Sequence, residues 1–158
     1  MSTVSINHPD RLFPAEPELR RIAIDLYESV CDLPIVSPHG HTDPSWFALN
    51  ERFPNAVDLL IKPDHYVVRM LYSQGISMES LGLAPSDGKE AETAARKIWR
   101  TFARIYHLFA GTPSRIWLVL VFGVVFGLND LLGVGNAVEY CDHINEHLGR
   151  PEFRPRAL

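Results

Sequence analysis

The chain has 158 residues, of which 46% are hydrophobic and 22% are charged, a composition that supports one folded domain and excludes wholesale disorder. Fifteen Lys and Arg residues against nineteen Asp and Glu residues give a formal net charge of −4. Because no segment is strongly basic, nucleic acid and acidic membrane surfaces are disfavoured as partners. Cys31 and Cys141 fit neither a disulfide framework nor a zinc knuckle. With reduced thiols and no signal-peptide pattern, we expect a cytoplasmic protein.

Hydrophobic spacing predicts a mainly α-helical chain with a single strand. From Glu18, apolar residues recur at three- and four-residue intervals, which predicts a helix that ends near Cys31 or Asp32. The apolar run at 35–37 lies between two prolines and predicts a buried strand of minimal length.

Every later element is predicted to be a helix or a turn. Asp64 is placed to cap one helix, and Thr112 followed by Pro113 is placed to begin another. The predicted elements are turns at 45–50, 56–61 and 78–83, a helix over 64–74, a long helix over 89–110, an apolar helix from 112 to 128 and a final helix over 136–148.

The segment 116–128 (IWLVLVFGVVFGL) is apolar throughout. As a helix it would reach about 20 Å, which is short of the roughly 30 Å hydrocarbon core of a bilayer. The segment therefore predicts a buried helix and no membrane span.

His39 and His41 form an HxH pair directly after the predicted strand. Residues two apart in extended backbone point to the same side, so both imidazoles can reach one metal ion. Neutral imidazoles suit Zn²⁺ and other transition metals. From the pair alone, two surface histidines in a proline-bounded loop are an equally good interpretation.

A second polar group follows at the start of the helix that Asp64 caps. His65 and Tyr66 lie in its first turn, and Arg69 shares their face one turn later. An arginine there would hold a carboxylate, and the tyrosine hydroxyl would donate or shuttle a proton. Without further context, an amphipathic helix with solvated polar residues is the favoured interpretation.

The remaining candidates favour structural roles. Tryptophans 46, 99 and 117 are expected in the core or an interface, and His143 and His147 are expected on a solvated helix face rather than at a metal. No P-loop, GxGxxG, GxSxG or CxxC pattern is present, so nucleotide and hydrolase-triad chemistry has no support.

Taken together, these motifs resemble the N-terminal part of a uronate (glucuronate) isomerase, a branch of the amidohydrolase superfamily. HxH is shared across that superfamily, whereas the DHYxxR helix and the GTPSR turn are far more specific. The matching segments are LPIVSPHGHTDP at 33–44, IKPDHYVVRMLYSQGI at 61–76, GTPSRIWL at 111–118 and PEFRPRAL at 151–158.

The resemblance implies an aldose–ketose isomerase that interconverts D-glucuronate with D-fructuronate, and D-galacturonate with D-tagaturonate, through a cis-enediol. It implies a divalent metal, with zinc favoured, on His39 and His41. It also implies a hexuronate substrate contacted by His65, Tyr66 and Arg69, with Tyr66 as a catalytic residue near the carbonyl and hydroxyl end of the sugar.

The fold implied by the resemblance is a (β/α)₈ TIM barrel, which takes about 250 residues or more. Residues 1–44 would form an N-terminal arm, a helix and the first barrel strand with its HxH loop, and residues 45–158 a helical insertion. The rest of the barrel, with further metal ligands and an aspartate base, would lie beyond this chain. We therefore expect the isolated chain to be inactive.

The helix after Arg115 departs from the amphipathic pattern of the family at Val119, Leu120 and Val124. A helix that is apolar all round must be buried or paired, so we expect a homo-oligomer through 116–128. The alternative function is a non-catalytic helical interaction module that binds a partner through this face. An amidohydrolase that hydrolyses rather than isomerises is a weaker third candidate.

Overall fold

The computed structural model describes residues 7–8, 10–36, 42–84, 88 and 90–157. Within these ranges the regular structure is entirely helical, and no strand is present. The prediction of a mainly α-helical chain is therefore confirmed. The α-helices are α1 Pro17–Glu28, α2 Pro44–Leu49, α3 Ala56–Leu60, α4 His65–Ser73, α5 Ala95–Ile105, α6 Pro113–Leu120 and α7 Ala137–Leu148. Short 3₁₀ turns cover Glu79–Leu81, Tyr106–Phe109 and Pro151–Phe153, and a π-helical turn covers Val121–Val125.

The chain divides into two compact units, residues 1–40 and 41–158. In the first unit, the side chain of Glu16 caps α1 by accepting hydrogen bonds from the backbone N–H groups of Glu18 and Leu19, at 3.0 and 2.7 Å. The predicted helix is confirmed, although α1 ends at Glu28, before the predicted Cys31 or Asp32.

The predicted buried strand at 35–37 is wrong for the two residues of it that are described. Ile35 and Val36 have no regular structure and are 93% and 87% exposed, and Ser37 lies outside the described residues. A strand is buried only where neighbouring strands satisfy its backbone N–H and C=O groups. The described parts of the chain contain no such neighbour.

The second unit folds around one hydrophobic core. Helix α5 packs against α3 and α7, and the indole N–H of Trp99 donates a hydrogen bond to the backbone oxygen of Ala137 at 2.7 Å. This bond satisfies the single polar atom of a fully buried tryptophan. The largest fully buried side chains of the core are Trp99, Tyr106, Phe102, Phe109, Leu60, Ile61, Leu71, Leu81, Ile98, Leu118, Ile144 and Leu148.

Helix α5 begins later than the predicted 89–110 helix. The backbone N–H of Glu92 donates to the carbonyl oxygen of Glu79 at 2.8 Å, and the Glu92 carboxylate accepts from the N–H of Ala94 at 2.9 Å. These bonds hold the preceding residues against another segment, so the α-helix starts only at Ala95. Its far end tightens into the 3₁₀ turn Tyr106–Phe109.

The apolar segment 116–128 is only half buried, so the prediction of a buried helix is wrong for one face. Its α-helical part ends at Leu120 and continues as the π turn. Buried side chains lie on one face, whereas Ile116, Trp117 and Leu120 are 42%, 44% and 41% exposed and Val124 is 69% exposed. A helix turns about 100° per residue, so one supporting layer covers one face only. No helix in the described ranges is long and apolar enough to cross a membrane.

The predicted helix starts at Asp64 and Thr112 are confirmed. The Asp64 carboxylate accepts from the N–H groups of Tyr66 and Val67, and the Thr112 hydroxyl accepts from the N–H of Arg115. Helix α7 begins one residue after Asn136 and ends, as predicted, before Gly149. The division into residues 1–44 and 45–158, which concerns barrel and insertion, stays a prediction.

Candidate functional site

A cavity of about 600 Å³ opens in the second unit. Its polar lining comes from three segments that are distant in sequence: Thr42 before α2, residues 64–66 at the start of α4, and Ser114 in the first turn of α6. The predicted site residues His65 and Tyr66 are therefore both part of its wall. A volume of this size lies within the range of small-molecule sites.

The local sequence explains why His65 and Tyr66 lie at the cavity. The Asp64 carboxylate fixes the start of α4 through hydrogen bonds of 2.8 and 3.2 Å to the backbone N–H groups of Tyr66 and Val67. Val67, Val68 and Leu71 then bury the opposite face of the helix in the core. The His65 and Tyr66 rings remain beside each other, with centroids 4.1 Å apart, and Tyr66 is 59% exposed.

Arg69 is exposed and is not part of the lining of this cavity. It lies on the same helix as His65, as predicted, but four residues and therefore about 6 Å farther from the helix start. The cavity meets only the first turn of α4. The spacing thus placed Arg69 on the correct helix, while its contact with a substrate stays a prediction.

The GTPSR segment contributes to the cavity in one direction and to the core in the other. Pro113 and Ser114 line the cavity. The next residue, Arg115, donates from Nη1 to the backbone oxygen of Tyr106 at 3.1 Å, and its guanidinium carbon lies 3.9 Å from the centroid of the Tyr106 ring. The turn therefore holds Ser114 at the cavity by anchoring the neighbouring arginine.

Two tryptophans that were expected in the core or an interface line the cavity instead. Trp46 of α2 packs edge-on against Phe53 with ring centroids 5.0 Å apart, and Trp117 lies on the half-exposed face of α6. Trp99 alone of the three is a core residue with no exposure. Together with Val121, Val125 and Phe126, Trp46 and Trp117 make much of the wall apolar.

Four residues that line the cavity were not predicted from the sequence as site residues: Thr42, Trp46, Ser114 and Trp117. The signal for Ser114 and Trp117 was the GTPSRIWL segment, which was assigned to the family without a role for each side chain. Nothing in local spacing marks Trp46 or Thr42, because their convergence with α4 and α6 depends on long-range packing.

The predicted metal ligands His39 and His41 lie outside the described residues. Thr42, which follows them in the chain, lines the cavity. Among the residues that the structure does describe, no group of three or more His, Cys, Asp or Glu side chains is placed to hold a metal ion.

His143 and His147 are half-buried rather than solvated. A ring nitrogen of each contacts a backbone oxygen: His143 Nε2 contacts Phe126 O at 2.7 Å, and His147 Nδ1 contacts His143 O at 2.8 Å. Because a carbonyl oxygen can only accept, each of these nitrogens carries the proton. The bond from His143 fixes Phe126, which is part of the cavity wall.

Comparison with known proteins identifies the family. A family model described as glucuronate isomerase matches residues 18–158. The uronate isomerases of Brucella suis biovar 1 and Xanthomonas axonopodis pv. citri are each 55% identical to this chain, over 96% and 99% of it but only 32% and 33% of their own length. The chain thus spans about a third of the length of the curated relatives it matches.

Solved structures agree with this result. The crystal structure of glucuronate isomerase from Caulobacter crescentus matches with a TM-score of 0.87 and 53% identity, over 95% of this chain and 31% of that one. The uronate isomerase from Thermotoga maritima matches with a TM-score of 0.71 and 26% identity, over 86% of this chain and 28% of that one. The resemblance predicted from the HxH, DHYxxR and GTPSR motifs is confirmed, and the chain belongs to the glucuronate isomerase family.

Proposed function

We propose that this chain forms the part of a uronate isomerase that contacts a hexuronate substrate through the cavity. The observation that carries the proposal is the convergence of His65, Tyr66 and Ser114 on one cavity in a member of the glucuronate isomerase family. The reaction proposed for the whole enzyme interconverts D-glucuronate with D-fructuronate, and D-galacturonate with D-tagaturonate.

Tyr66 is proposed as the catalytic residue of this segment. Aldose–ketose isomerisation moves a proton between C1 and C2 of the open-chain sugar and places negative charge on an oxygen as the enediol forms. A hydroxyl donor positioned at that oxygen stabilises the developing charge. Tyr66 is suited to this role because its backbone is fixed by the Asp64 cap while its ring is open to the cavity. His65, with its ring centroid 4.1 Å away, orients the tyrosine and the sugar hydroxyls.

The carboxylate of the sugar acid needs positive charge. Arg69 is the proposed cation on α4, and its guanidinium matches a carboxylate in geometry. The first turn of α6 adds positive electrostatic potential at the cavity. Its residues Pro113 and Ser114 line the cavity, and Thr112 caps the helix with a neutral hydroxyl. A helix N-terminus carries partial positive charge that favours an anionic group.

A divalent metal, with zinc favoured, is proposed on His39 and His41. Two neutral imidazoles are a donor set that Zn²⁺ accepts. Thr42, which directly follows His41 in the sequence, lines the cavity. When bound, the metal would supply a Lewis acid for a sugar oxygen.

The proposed architecture of the whole enzyme is a (β/α)₈ barrel, to which residues 45–158 contribute a helical insertion. The relatives are about three times as long as this chain. We expect no turnover from the 158 residues alone, because the resemblance assigns the aspartate base and further metal ligands to the remaining two-thirds of the family polypeptide.

A hybrid enzyme tests the proposal. In it, this chain replaces the matching third of the Caulobacter crescentus glucuronate isomerase, to which it is 53% identical. With D-glucuronate and added Zn²⁺, we expect ketose formation by the hybrid and none by the 158-residue chain alone. A hybrid that folds, as judged by circular dichroism, yet forms no ketose contradicts the proposed function. Turnover by the isolated chain contradicts the proposal that the aspartate base and further metal ligands lie in the rest of the enzyme.

The alternative function is the non-catalytic interaction module. One observation favours it: Ile116, Trp117, Leu120 and Val124 expose 41–69% of their surface on one apolar segment. Substituting Val124 by Asp separates the two functions, because Val124 is not part of the cavity lining. Loss of partner binding with retained turnover in the hybrid would indicate that the exposed face serves interaction rather than catalysis.

A further inference from the structure

Arg156 connects the end of the described chain to α2, more than one hundred residues earlier. Its Nε donates to the backbone oxygen of Phe47 at 2.5 Å, and its Nη2 donates to that of Ala48 at 2.8 Å. The backbone N–H of Arg156 also donates to the side-chain oxygen of Asn50 at 3.0 Å. Three separate donors of one residue thus bind the carboxyl end of one short helix.

These bonds satisfy groups that α2 leaves unpaired. The last carbonyl groups of an α-helix have no partner within the helix. Helix α2 has only six residues, and an isolated helix of that length is unstable in water. Asn50, which ends α2, has a left-handed backbone with φ of 52° and keeps its side chain beside the Arg156 N–H. The position of α2 therefore depends on contacts from outside the helix.

Helix α2 carries one wall of the cavity. Trp46 in its middle and Thr42 just before it are both lining residues. At its amino end, the Asp43 carboxylate accepts from the N–H of Ser45 at 2.8 Å. Asp43 therefore fixes one end of the helix, and Arg156 fixes the other.

The segment that carries Arg156 also contacts a different wall of the cavity. The ring of Phe153 stacks on that of Phe126, with centroids 5.6 Å apart and an interplanar angle of 17°. Phe126 lies directly after the π turn that follows α6, and it lines the cavity. Between the two contacts, Pro155 is buried. Residues 153–156 thus contact two walls of the cavity, one at α2 and one at Phe126.

We infer that Arg156 is a positioning residue for the cavity: by binding the carboxyl end of α2, it holds Trp46 and Thr42 in place relative to the α4 and α6 walls. The inference rests on the proposed function for its catalytic consequence. Its structural part, the dependence of α2 on Arg156, can be tested on the 158-residue chain itself.

The experiment compares the wild-type chain with Arg156→Ala, Arg156→Lys and the matched control Arg154→Ala. Arg154 is also exposed and lies two residues away, and its side chain makes no hydrogen bond or ion pair with any described residue. Native-state hydrogen exchange, followed by mass spectrometry, reports the opening of α2 and α7 separately. We expect Arg156→Ala to speed exchange in α2 about tenfold, as loss of these hydrogen bonds requires, and to leave α7 unchanged. Arg156→Lys retains a donor for one carbonyl and should fall between the wild type and Arg156→Ala.

Two results would overturn the inference. If Arg156→Ala leaves exchange in α2 unchanged, the hydrogen bonds from Arg156 are not needed to hold this helix. If exchange speeds up equally in α2 and α7, the effect of the substitution is global rather than local. In the hybrid enzyme, Arg156→Ala should lower kcat/KM about tenfold with partial rescue by Arg156→Lys, while Arg154→Ala has no effect. If Arg156→Ala speeds exchange in α2 but the unsubstituted hybrid is inactive, the proposed function fails while the positioning role of Arg156 is retained. If the hybrid is active and exchange in α2 is unchanged by Arg156→Ala, only the positioning role fails.

Discussion

The guanidinium of Arg115 covers the ring of Tyr106, with its carbon 3.9 Å from the ring centroid, while Nη1 donates to the backbone oxygen of the same tyrosine. The arginine of the GTPSR turn is therefore bound to the core rather than presented to the cavity. Tyr106 is fully buried, and its hydroxyl has no hydrogen-bond partner among the described residues. Tyr140, by contrast, is also buried but donates its hydroxyl hydrogen to the backbone oxygen of Asp130.

This contrast predicts opposite effects of removing the two hydroxyl groups. Tyr106→Phe removes a buried polar atom that is not satisfied, and should leave the free energy of unfolding unchanged or raise it by about 1 kcal/mol. Tyr140→Phe removes a hydrogen bond and leaves a carbonyl without it, and should lower the free energy of unfolding by about 1–2 kcal/mol. Urea unfolding followed by circular dichroism measures both. A larger loss for Tyr106→Phe than for Tyr140→Phe would show that the Tyr106 hydroxyl has a partner in solution.

The same tyrosines predict a loss of stability at alkaline pH. Burial raises the pKa of Tyr106 and that of Tyr140 from 10.0 to about 12. A group with a raised pKa in the folded state contributes stability that is fully present below the pKa of the unfolded chain and is lost as pH rises through the folded value. The free energy of unfolding should therefore fall between pH 10 and pH 12. Tyr140→Phe should make this fall shallower, whereas Tyr72→Phe, at an exposed position of α4, should not.

Glycine at position 82 is predicted to be essential for the packing of the 79–82 turn. Its φ is +74°, and an added Cβ would lie 2.8–2.9 Å from Lys62 Cε, the backbone oxygen of Glu92 and Ile98 Cδ1. Gly75 has a similar φ of +79° with no atom within 4 Å of an added Cβ, so it isolates the conformational effect. We expect Gly75→Ala to lower the free energy of unfolding by about 1 kcal/mol and Gly82→Ala by about 3 kcal/mol. Equal losses in thermal or urea unfolding would contradict the close packing.

Self-association through 116–128 is the prediction that concerns the exposed apolar face. Val124 exposes 69% of its surface on this segment, and Val134 exposes 73% in the following loop. If the face mediates association, Val124→Asp should shift the chain toward monomer because a charge would be buried in the contact, and Val134→Asp should not. Analytical ultracentrifugation over a range of concentrations distinguishes the two variants. A wild-type chain that stays monomeric throughout, or an equal response of both variants, would argue against this interface.

Local sequence predicted the helices best where a polar side chain marks their first turn. Asp64 and Thr112 each had a recognisable capping position, and both caps are present in the structure. The start of α5 could not be predicted in this way, because it is set by a hydrogen bond from Glu92 to the distant Glu79. Likewise, an apolar run indicates that burial is favourable but not which of its faces another helix will cover. The exposure of Val124 could therefore not be predicted from the sequence.

The candidate site was predictable only as far as its motifs extend. His65 and Tyr66 were identified because their spacing fits the first turn of a capped helix and because the DHYxxR segment resembles the family. Spacing along one helix could not show that the cavity stops before Arg69. Nor could it show that Trp46 and Trp117, seventy-one residues apart, would lie on the same cavity.

Tyr66 and Tyr72 provide the most direct test of the proposed substrate site, because they lie on the same helix with 59% and 58% exposure and only Tyr66 of the two lines the cavity. The measurement is the kcat/KM of the hybrid enzyme for D-glucuronate with each tyrosine replaced by Phe. We predict a fall of about 100-fold or more for Tyr66→Phe, the magnitude typical of losing a catalytic proton donor, and less than about twofold for Tyr72→Phe. Equal values for the two variants would contradict the assignment of Tyr66 and of the cavity it lines.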